Sequence, residues 1–178
     1  MNDTLRLFFA IEVPEETRNE IARFGATLDR SWKPSRPQQL HITLAFMAEV
    51  APAGLAEVIA AGEEAAEKVA AFNVSISDTE VFPESGEPRV LYAKVDGGQS
   101  FLDLASSLRQ TLGNLADNKK VKPHLTLARA RGDRAARKVL RKFKGSWPVN
   151  EIVLFKSTLT PEGARHEVVQ KFNLKPAA

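Results

Sequence analysis

The sequence contains no cysteine, and this absence removes several kinds of chemistry at once. A chain without thiols cannot form disulfides, bind zinc through thiolates or use a cysteine nucleophile. The rest of the composition is ordinary for a globular protein, with 43% hydrophobic and 26% charged residues among 178. We therefore expect residues 1–178 to form one domain, or two small lobes that share a core.

Long apolar runs are also missing. No stretch approaches the roughly 18 residues that a membrane-spanning helix needs. The opening residues 1–13 are too short for a signal peptide and carry the charges of Asp3 and Arg6. With no thiols to oxidise, these features predict a cytoplasmic protein that does not contact membranes.

Charge is unevenly distributed along the chain. Residues 119–144, called the basic segment below, contain eleven Lys/Arg and a single acid, Asp133, whereas the rest of the chain has more acids than bases. One interpretation is a surface that attracts phosphates. The other is a solvated helix face, with Asp133 capping a basic helix. Charge alone leaves both open.

Hydrophobic periodicity predicts strands and helices that alternate, with no low-complexity linker between them. The predicted strands cover residues 5–13, 40–46, 74–82, 90–95, 124–128, 152–155 and 167–174. The predicted helices cover residues 15–30, 55–69 and 101–112, with the basic helix after Asp133. This pattern indicates an α+β fold.

A short motif occurs twice. Residues 41–45 read His-Ile-Thr-Leu-Ala and residues 124–128 read His-Leu-Thr-Leu-Ala, so two of the three histidines share one context. Each copy follows a predicted helix and a proline-containing loop, and precedes another predicted helix. The repetition predicts two related lobes whose motif strands lie near a common cleft.

The alternation of side chains along a strand gives each motif one dry face and one reactive face. Residues i and i+2 share a face, so His41 lies beside Thr43, and His124 beside Thr126. Histidine titrates near neutral pH, so one imidazole can accept a proton while the other donates one. Two threonine hydroxyls could hold the oxygens of a phosphate. The near symmetry of the motifs does not reveal which histidine is the acid.

The chain resembles the 2H phosphoesterases, and within them the RNA 2′,3′-cyclic phosphodiesterases, also called 2′-5′ RNA ligases. The resemblance covers nearly the whole chain and rests on the segments RLFFAIEVPEE, LHITLAF, PRVLYAKV, KPHLTLAR and TPEGARHEVV. It implies a bilobal α+β fold in which two antiparallel sheets form a central cleft with helices outside. It also implies hydrolysis of terminal 2′,3′-cyclic phosphates to 2′-phosphates without metal or cofactor, and the reverse 2′-5′ ligation.

The resemblance assigns roles to named residues. It implies that His41 donates a proton, that His124 accepts one, and that Thr43 and Thr126 hold the phosphate. His166 stands where relatives are expected to have tyrosine, so its role stays open. The expected partner is an RNA or oligonucleotide with a 2′,3′-cyclic end, bound by a monomer without an obligate protein partner.

Two residues at the same offset, Phe46 and Arg129, are further candidates for substrate binding. Arg129 could bind the phosphate through two hydrogen bonds, but strict alternation turns it away unless the strand ends or bulges after Ala128. Phe46 could stack on a base or pack in the core. A metal site is not expected, because no HxH or HxxxH spacing brings His166 to the other histidines.

Other functions fit parts of the same pattern. Within the enzyme class, the substrate could be a 2′,5′-oligoadenylate or a small cyclic nucleotide. From another class, the chain could be a non-catalytic RNA-binding module that uses the basic segment. The repeated His-x-Thr favours the enzyme, because binding alone needs cations and aromatic rings but not two titrating groups.

Overall fold

The computed structural model of the protein describes residues 3–178 and has an α+β architecture. Its strands are β1 (Leu5–Glu12), β2 (Trp32–Pro34), β3 (His41–Val50), β4 (Phe72–Phe82), β5 (Val90–Asp96), β6 (His124–Ala130), β7 (Ser146–Val149), β8 (Glu151–Thr160) and β9 (Gly163–Asn173). Its α-helices are α1 (Glu15–Gly25), α2 (Leu55–Lys68) and α3 (Gly98–Leu112). Within the described residues, no helix is long and apolar enough to cross a membrane.

The strands form two antiparallel sheets. One sheet has four strands in the order β3-β1-β8-β9, and the other has five in the order β2-β6-β5-β4-β7. The two motif strands therefore lie in different sheets, with β3 at the edge of the first and β6 next to the edge of the second. The predicted fold of two antiparallel sheets is confirmed.

Helices α2 and α3 cover apolar faces of the sheets. Helix α2 buries Val58, Ala61 and Gly62, while α3 buries Phe101, Leu104 and further apolar residues one or two turns apart. A Cβ at Gly62 would lie 2.7 Å from the rings of both Phe9 and Phe172, so this close helix–sheet approach requires glycine. This packing holds α2 against β1 and β9, two strands of the sheet that contains the first motif strand.

The predicted basic helix after Asp133 is wrong. Residues 131–145 contain no helix and run partly extended beside β4. Their backbone pairs with that strand: Thr79 N–H donates to Arg141 O at 3.0 Å, and Phe143 N–H donates to Ser77 O at 3.2 Å. These bonds across to β4 replace the bonds within a helix, and the burial of Ala135 and Phe143 anchors the segment.

Other element boundaries also differ from the prediction. Helix α1 ends at Gly25 instead of residue 30, because turns with bonds from Thr27 and Leu28 to Phe24 and Gly25 follow it. Strands β2 and β7 were not predicted, since each has only three or four residues. The second motif strand is not followed by a helix, so the two copies are less alike in their surroundings than expected.

Candidate active site

One cavity of about 300 Å³ is lined by strands of both sheets. It receives side chains from the two motif strands, from β1 and β2, and from the hairpin of β8 and β9. All six residues predicted to act on or bind the substrate line this cavity: His41, Thr43, Phe46, His124, Thr126 and Arg129. The fold thus joins two sequence-distant motifs in one space.

Strand β3 carries a bulge inside its motif. Thr43 lies opposite Ala10 of β1, whereas Ala45 lies opposite Phe9, the preceding residue of β1. Two residues of β1 therefore span three of β3, and Leu44 is the additional one. Leu44 and Ala45 are consecutive and both buried, so the alternation of side chains shifts by one residue at this point.

Strand β6 carries the same bulge at the same place in its motif. Thr126 lies opposite Tyr92 of β5, and Ala128 lies opposite Leu91, so Leu127 is the additional residue. Leu127 and Ala128 are again both buried. The repetition in the sequence is therefore matched by a repetition in backbone geometry.

The bulges bring Phe46 and Arg129 onto the face that carries the histidines. Without a bulge, a residue five positions after each histidine would point to the core side of its strand. The stated condition, an end or a bulge after Ala128, is not met: β6 continues to Ala130, and a bulge before Ala128 brings Arg129 to this face instead. The guanidinium of Arg6 lies 4.4 Å from the centre of the Phe46 ring, which is half-buried.

Both histidines are held in the same way through Nδ1. His41 Nδ1 lies 2.6 Å from the backbone oxygen of Gln39, and His124 Nδ1 lies 2.7 Å from that of Lys122. A carbonyl oxygen only accepts, so Nδ1 carries a hydrogen in each ring. Each Nε2 is consequently the atom that can exchange a proton with a ligand.

The surroundings of His41 are aromatic. Its ring centre lies 4.6 Å from that of Phe8, 5.2 Å from that of His166 and 6.5 Å from that of Phe155. Burial lowers the pKa of His41 to about 4, although the hydrogen bond to Gln39 acts in the opposite direction. Electrostatic repulsion by His166, His124 and Arg129 contributes further lowering. His41 is therefore neutral at pH 7.

The surroundings of His124 contain a charge as well as rings. Its ring meets those of Phe82 and Tyr92 edge-on, at 5.5 and 5.7 Å between centres. The ammonium of Lys122 lies 4.8 Å from the centre of the Phe82 ring, and Tyr92 O–H donates to Glu80 at 2.7 Å. Two aromatic rings thus pack against the second imidazole, and a cation lies over one of them.

The sequence did not predict several residues that line the cavity. Gln39 joins two parts of the site, because its backbone oxygen accepts from His41 and its side chain donates to Ala164 O at 2.8 Å. Only its position, two residues before His41 as Lys122 is before His124, could have drawn attention to it. The remaining unpredicted lining residues that can form hydrogen bonds are Arg6, Lys33, Ser35, Ser157 and His166.

Comparison with known proteins identifies the family. The model of the 2′-5′ RNA ligase superfamily matches residues 13–160. The chain belongs to this superfamily. It is 36% identical to the RNA 2′,3′-cyclic phosphodiesterase of Thermus thermophilus over 96% of this chain and 91% of that protein. It is 33% identical to the protein of the same name from Aquifex aeolicus, over 92% and 90%.

Solved structures of this superfamily have the same fold. TT0787 of Thermus thermophilus superposes with a TM-score of 0.88 at 35% identity, over 97% of this chain and all of that one. LigT of Escherichia coli in its apo form superposes with a TM-score of 0.82 at 25% identity, over 97% and 98%. The predicted resemblance is confirmed. The prediction of a phosphoric diester hydrolase is confirmed as well, because the relatives are named as phosphodiesterases.

The position of His166 differs from the expectation for the third histidine. No sequence spacing joins it to the other two, yet its ring packs edge-on against His41, and burial lowers its pKa as well. Among residues 3–178, no group of three or more histidines or carboxylates is arranged to hold a metal ion. His166 lines the wall of the cavity beside His41.

The chemistry open to such a site follows from its donors and charges. The two Nε2 atoms offer proton transfer, the two threonines offer hydroxyl donors, and Arg6, Lys33 and Arg129 surround the cavity with positive charge. No carboxylate lines it among the described residues. The arrangement suits an anionic group that needs one proton removed and one supplied.

Proposed function

We propose that the protein hydrolyses 2′,3′-cyclic phosphates at RNA ends to 2′-phosphomonoesters, with His41 and His124 as the acid–base pair. The observation that carries this proposal is the duplicated bulged strand, which directs a histidine and a threonine from each copy into one cationic cavity. The names of the relatives in Thermus thermophilus and Aquifex aeolicus support the choice of substrate.

Substrate binding uses the hydroxyls and the cations. Thr43 and Thr126 donate to the two non-bridging oxygens of the cyclic phosphate, one from each strand. Arg129 adds hydrogen bonds from a guanidinium, which matches the geometry of a phosphate. These contacts strengthen as negative charge builds on the oxygens, so they favour the transition state over the bound substrate.

Proton transfer uses the two Nε2 atoms. His124 accepts a proton from water while the water oxygen bonds to phosphorus. On the opposite side, the bond from phosphorus to the 3′-oxygen breaks, and His41 donates a proton to that oxygen. The products are a 2′-phosphate and a 3′-hydroxyl, and exchange of one proton with solvent at each histidine restores the starting state.

The low pKa of His41 bears on the assignment of donor and acceptor. At a pKa of about 4 the ring holds no second proton at pH 7, which by itself favours the role of base. A bound phosphate changes this balance, because its negative charge stabilises the imidazolium and raises the pKa. His41 therefore becomes a donor only in the complex, in line with the role implied by the superfamily.

Ligation uses the same groups in the same roles. When a ribose 5′-hydroxyl replaces the attacking water, the same in-line displacement joins two RNAs through a 2′-5′ bond. The name of the superfamily supports including this reaction in the proposal. Water is the more abundant nucleophile, so we expect hydrolysis to dominate.

The experiment that tests the proposal is incubation with a short RNA ending in a 2′,3′-cyclic phosphate, followed by mass spectrometry and separation of the 2′- and 3′-phosphate isomers. We expect many turnovers with a 2′-phosphate product. A matched RNA that ends in a linear phosphate controls for contaminating phosphatase. Retention of RNA without turnover would instead indicate a binding module, and faster turnover of 2′,5′-oligoadenylate would reassign the substrate.

A further inference from the structure

A second cavity of about 710 Å³ adjoins the catalytic one. Thr43, Phe46 and His124 line both cavities, so the two spaces lie side by side along the motif strands. Apolar groups form much of the wall of the second cavity: Leu44, Ala45, Phe46, Phe82, Val121 and Pro123. This volume lies within the usual range for a small-molecule site, and an apolar wall suits a flat ring.

Hydrogen bonds hold the loop of residues 116–123, which forms part of the wall of this cavity. The N–H of Asp117 donates to the backbone oxygen of Phe46 at 2.8 Å, which ties the loop to β3. The guanidinium of Arg109 donates to the backbone oxygen of Asp117, also at 2.8 Å. These bonds fix the loop in place, which reduces the ordering that binding requires.

Phe46 lies at the boundary between the two cavities. The guanidinium of Arg6, which lines only the catalytic cavity, lies over this ring at 4.4 Å from its centre. Phe46 also lines the second cavity, where no cation is stacked on it among the described residues. It thus offers aromatic surface on that side, of the kind on which nucleic-acid bases stack.

Positive charge surrounds the second cavity. Lys119, Lys120 and Lys122 line it, and the first two side chains are exposed. Lys122 already contacts Glu84 at 3.5 Å, but no ion pair involves Lys119 or Lys120 within the described chain. The one acid in the lining, Asp117, uses its carboxylate to accept from the N–H of Lys119. Free ammonium groups beside an apolar wall suit a base attached to a phosphodiester.

The structure also divides the basic segment into two parts. Besides the three lysines, only Arg129 among its cations lines either cavity. Residues 139–143 bond to β4, and Arg137 donates to the backbone oxygens of Pro83 and Glu84 in the loop after that strand. The charge that can act on RNA in the cleft is therefore at the beginning of the segment.

We propose that the second cavity binds the nucleotide that precedes the terminal one, with its base against Phe46 and its phosphate at Lys119 and Lys120. This proposal rests on the proposed function. A nucleotide that carries a 2′,3′-cyclic phosphate is the last of its chain, so its only neighbour is on the 5′ side. With the cyclic phosphate between the two histidines, that neighbour occupies the adjoining space. The enzyme then prefers oligonucleotides to mononucleotides.

The first test compares four substrates with the unmodified protein: a 2′,3′-cyclic mononucleotide, a dinucleotide, a trinucleotide and a dinucleotide that lacks the 5′ base. We expect kcat/KM to rise roughly tenfold or more from the mononucleotide to the dinucleotide. The trinucleotide should add little. The abasic dinucleotide should lose most of the gain, because the stacked ring is gone.

The second test uses charge variants. The double variant Lys119→Gln/Lys120→Gln should reduce the dinucleotide-to-mononucleotide ratio of kcat/KM by roughly tenfold. It should also reduce the salt slope for the dinucleotide by roughly 0.7 for each phosphate that a lysine no longer neutralises. The matched control, Arg134→Gln/Lys138→Gln, removes two exposed charges that line neither cavity, and should retain both the ratio and the slope.

The outcomes separate the inference from the proposed function. Turnover of all substrates at equal kcat/KM would overturn the second site and leave the phosphodiesterase intact. If the control variant lowered the ratio of kcat/KM by the same factor, the effect would come from net charge alone, and the second site would also be overturned. If Lys119→Gln/Lys120→Gln lowered kcat/KM for the mononucleotide as much as for the dinucleotide, the cavity would be assigned to the terminal base instead. Absence of turnover with every substrate would overturn the function and the inference together.

Discussion

The two motif strands are alike in backbone and unlike in surroundings. Each has a bulge after its threonine, and in each a backbone oxygen two residues earlier holds Nδ1 of the histidine. Around His41, however, the neighbours are apolar rings and a second imidazole, whereas His124 packs against two rings over which the ammonium of Lys122 lies. Five residues after each histidine, the first strand has Phe46 and the second has Arg129.

This comparison indicates how a repeated unit can perform an asymmetric reaction. The repetition fixes the positions of two imidazoles and two hydroxyls relative to a central group. The neighbours are not repeated, and burial among those of His41 lowers the pKa of that imidazole.

The largest expected effect comes from removing either imidazole. We expect His41→Ala and His124→Ala each to lower kcat by roughly 10²–10⁴, the usual contribution of a positioned proton carrier. The double variant should be little worse than the more impaired single one, because one partner alone cannot complete the transfer. Steady-state kinetics on a cyclic dinucleotide measure this, and circular dichroism checks the fold. Folded single variants with near-normal rates would remove the mechanism.

Loss of a threonine hydroxyl should lower kcat less than loss of an imidazole, and by a similar factor for the two threonines. We expect Thr43→Val and Thr126→Val each to reduce kcat by roughly 10–100-fold, because valine retains the shape but cannot donate to a phosphate oxygen. Thr158→Val on β8 is the matched control, since that threonine is exposed and lines neither cavity. A normal rate in one variant only would show that the two strands bind the phosphate unequally.

The buried environment of His41 should make stability depend on pH. Its folded-state pKa of about 4 lies below the ordinary value of 6.5, so the unfolded chain binds an additional proton between these values. This contribution to the free energy of unfolding is complete above pH 6.5 and declines as pH falls toward 4. Between pH 7 and 4.5 we expect a loss of about 2 kcal/mol from this group.

Urea unfolding of the parent and of His41→Gln at the two pH values isolates that contribution. The variant lacks the imidazole and should lose less stability on acidification, while His124→Gln serves as the comparison from the other strand. Equal pH dependence in the parent and His41→Gln would contradict the environment described for His41.

Chelation should have the smallest effect. In the proposed mechanism the two histidines carry both proton transfers and the threonines and Arg129 bind the phosphate, so no step requires a cation. We expect turnover of a cyclic dinucleotide to be unchanged after dialysis against EDTA. A loss of rate that Mg²⁺, Mn²⁺ or Zn²⁺ restores would contradict this mechanism.

The sequence was sufficient for the parts of the site that repeat. The doubled His-x-Thr predicted two strands and one cleft, because alternation along a strand is a local rule. The position of Arg129 needed the bulge, which depends on the register with β5 and cannot be read from β6 alone. The need for a break in the alternation before Arg129 could be stated from the sequence, but the presence and place of the bulge required the structure.

Contacts between distant segments could not be predicted in this way. His166 packs on His41 because the hairpin of β8 and β9 pairs with β1, a relation that no sequence spacing encodes. The basic residues 131–144 have the charge and alanine content of a helix, yet they form none, and Arg141 and Phe143 bond to β4. In that segment tertiary hydrogen bonds outweighed local propensity.

The separation of roles between the two histidines can be tested most directly with a changed leaving group. The substrate is a 2′,3′-cyclic phosphate whose bridging 3′-oxygen is replaced by sulfur, since a thiolate departs without needing a proton. We expect this substrate to restore most of the rate lost in His41→Ala and little of that lost in His124→Ala. Rescue of His124→Ala alone would exchange the two roles. Equal deficits in both variants with the sulfur substrate would contradict an acid–base pair.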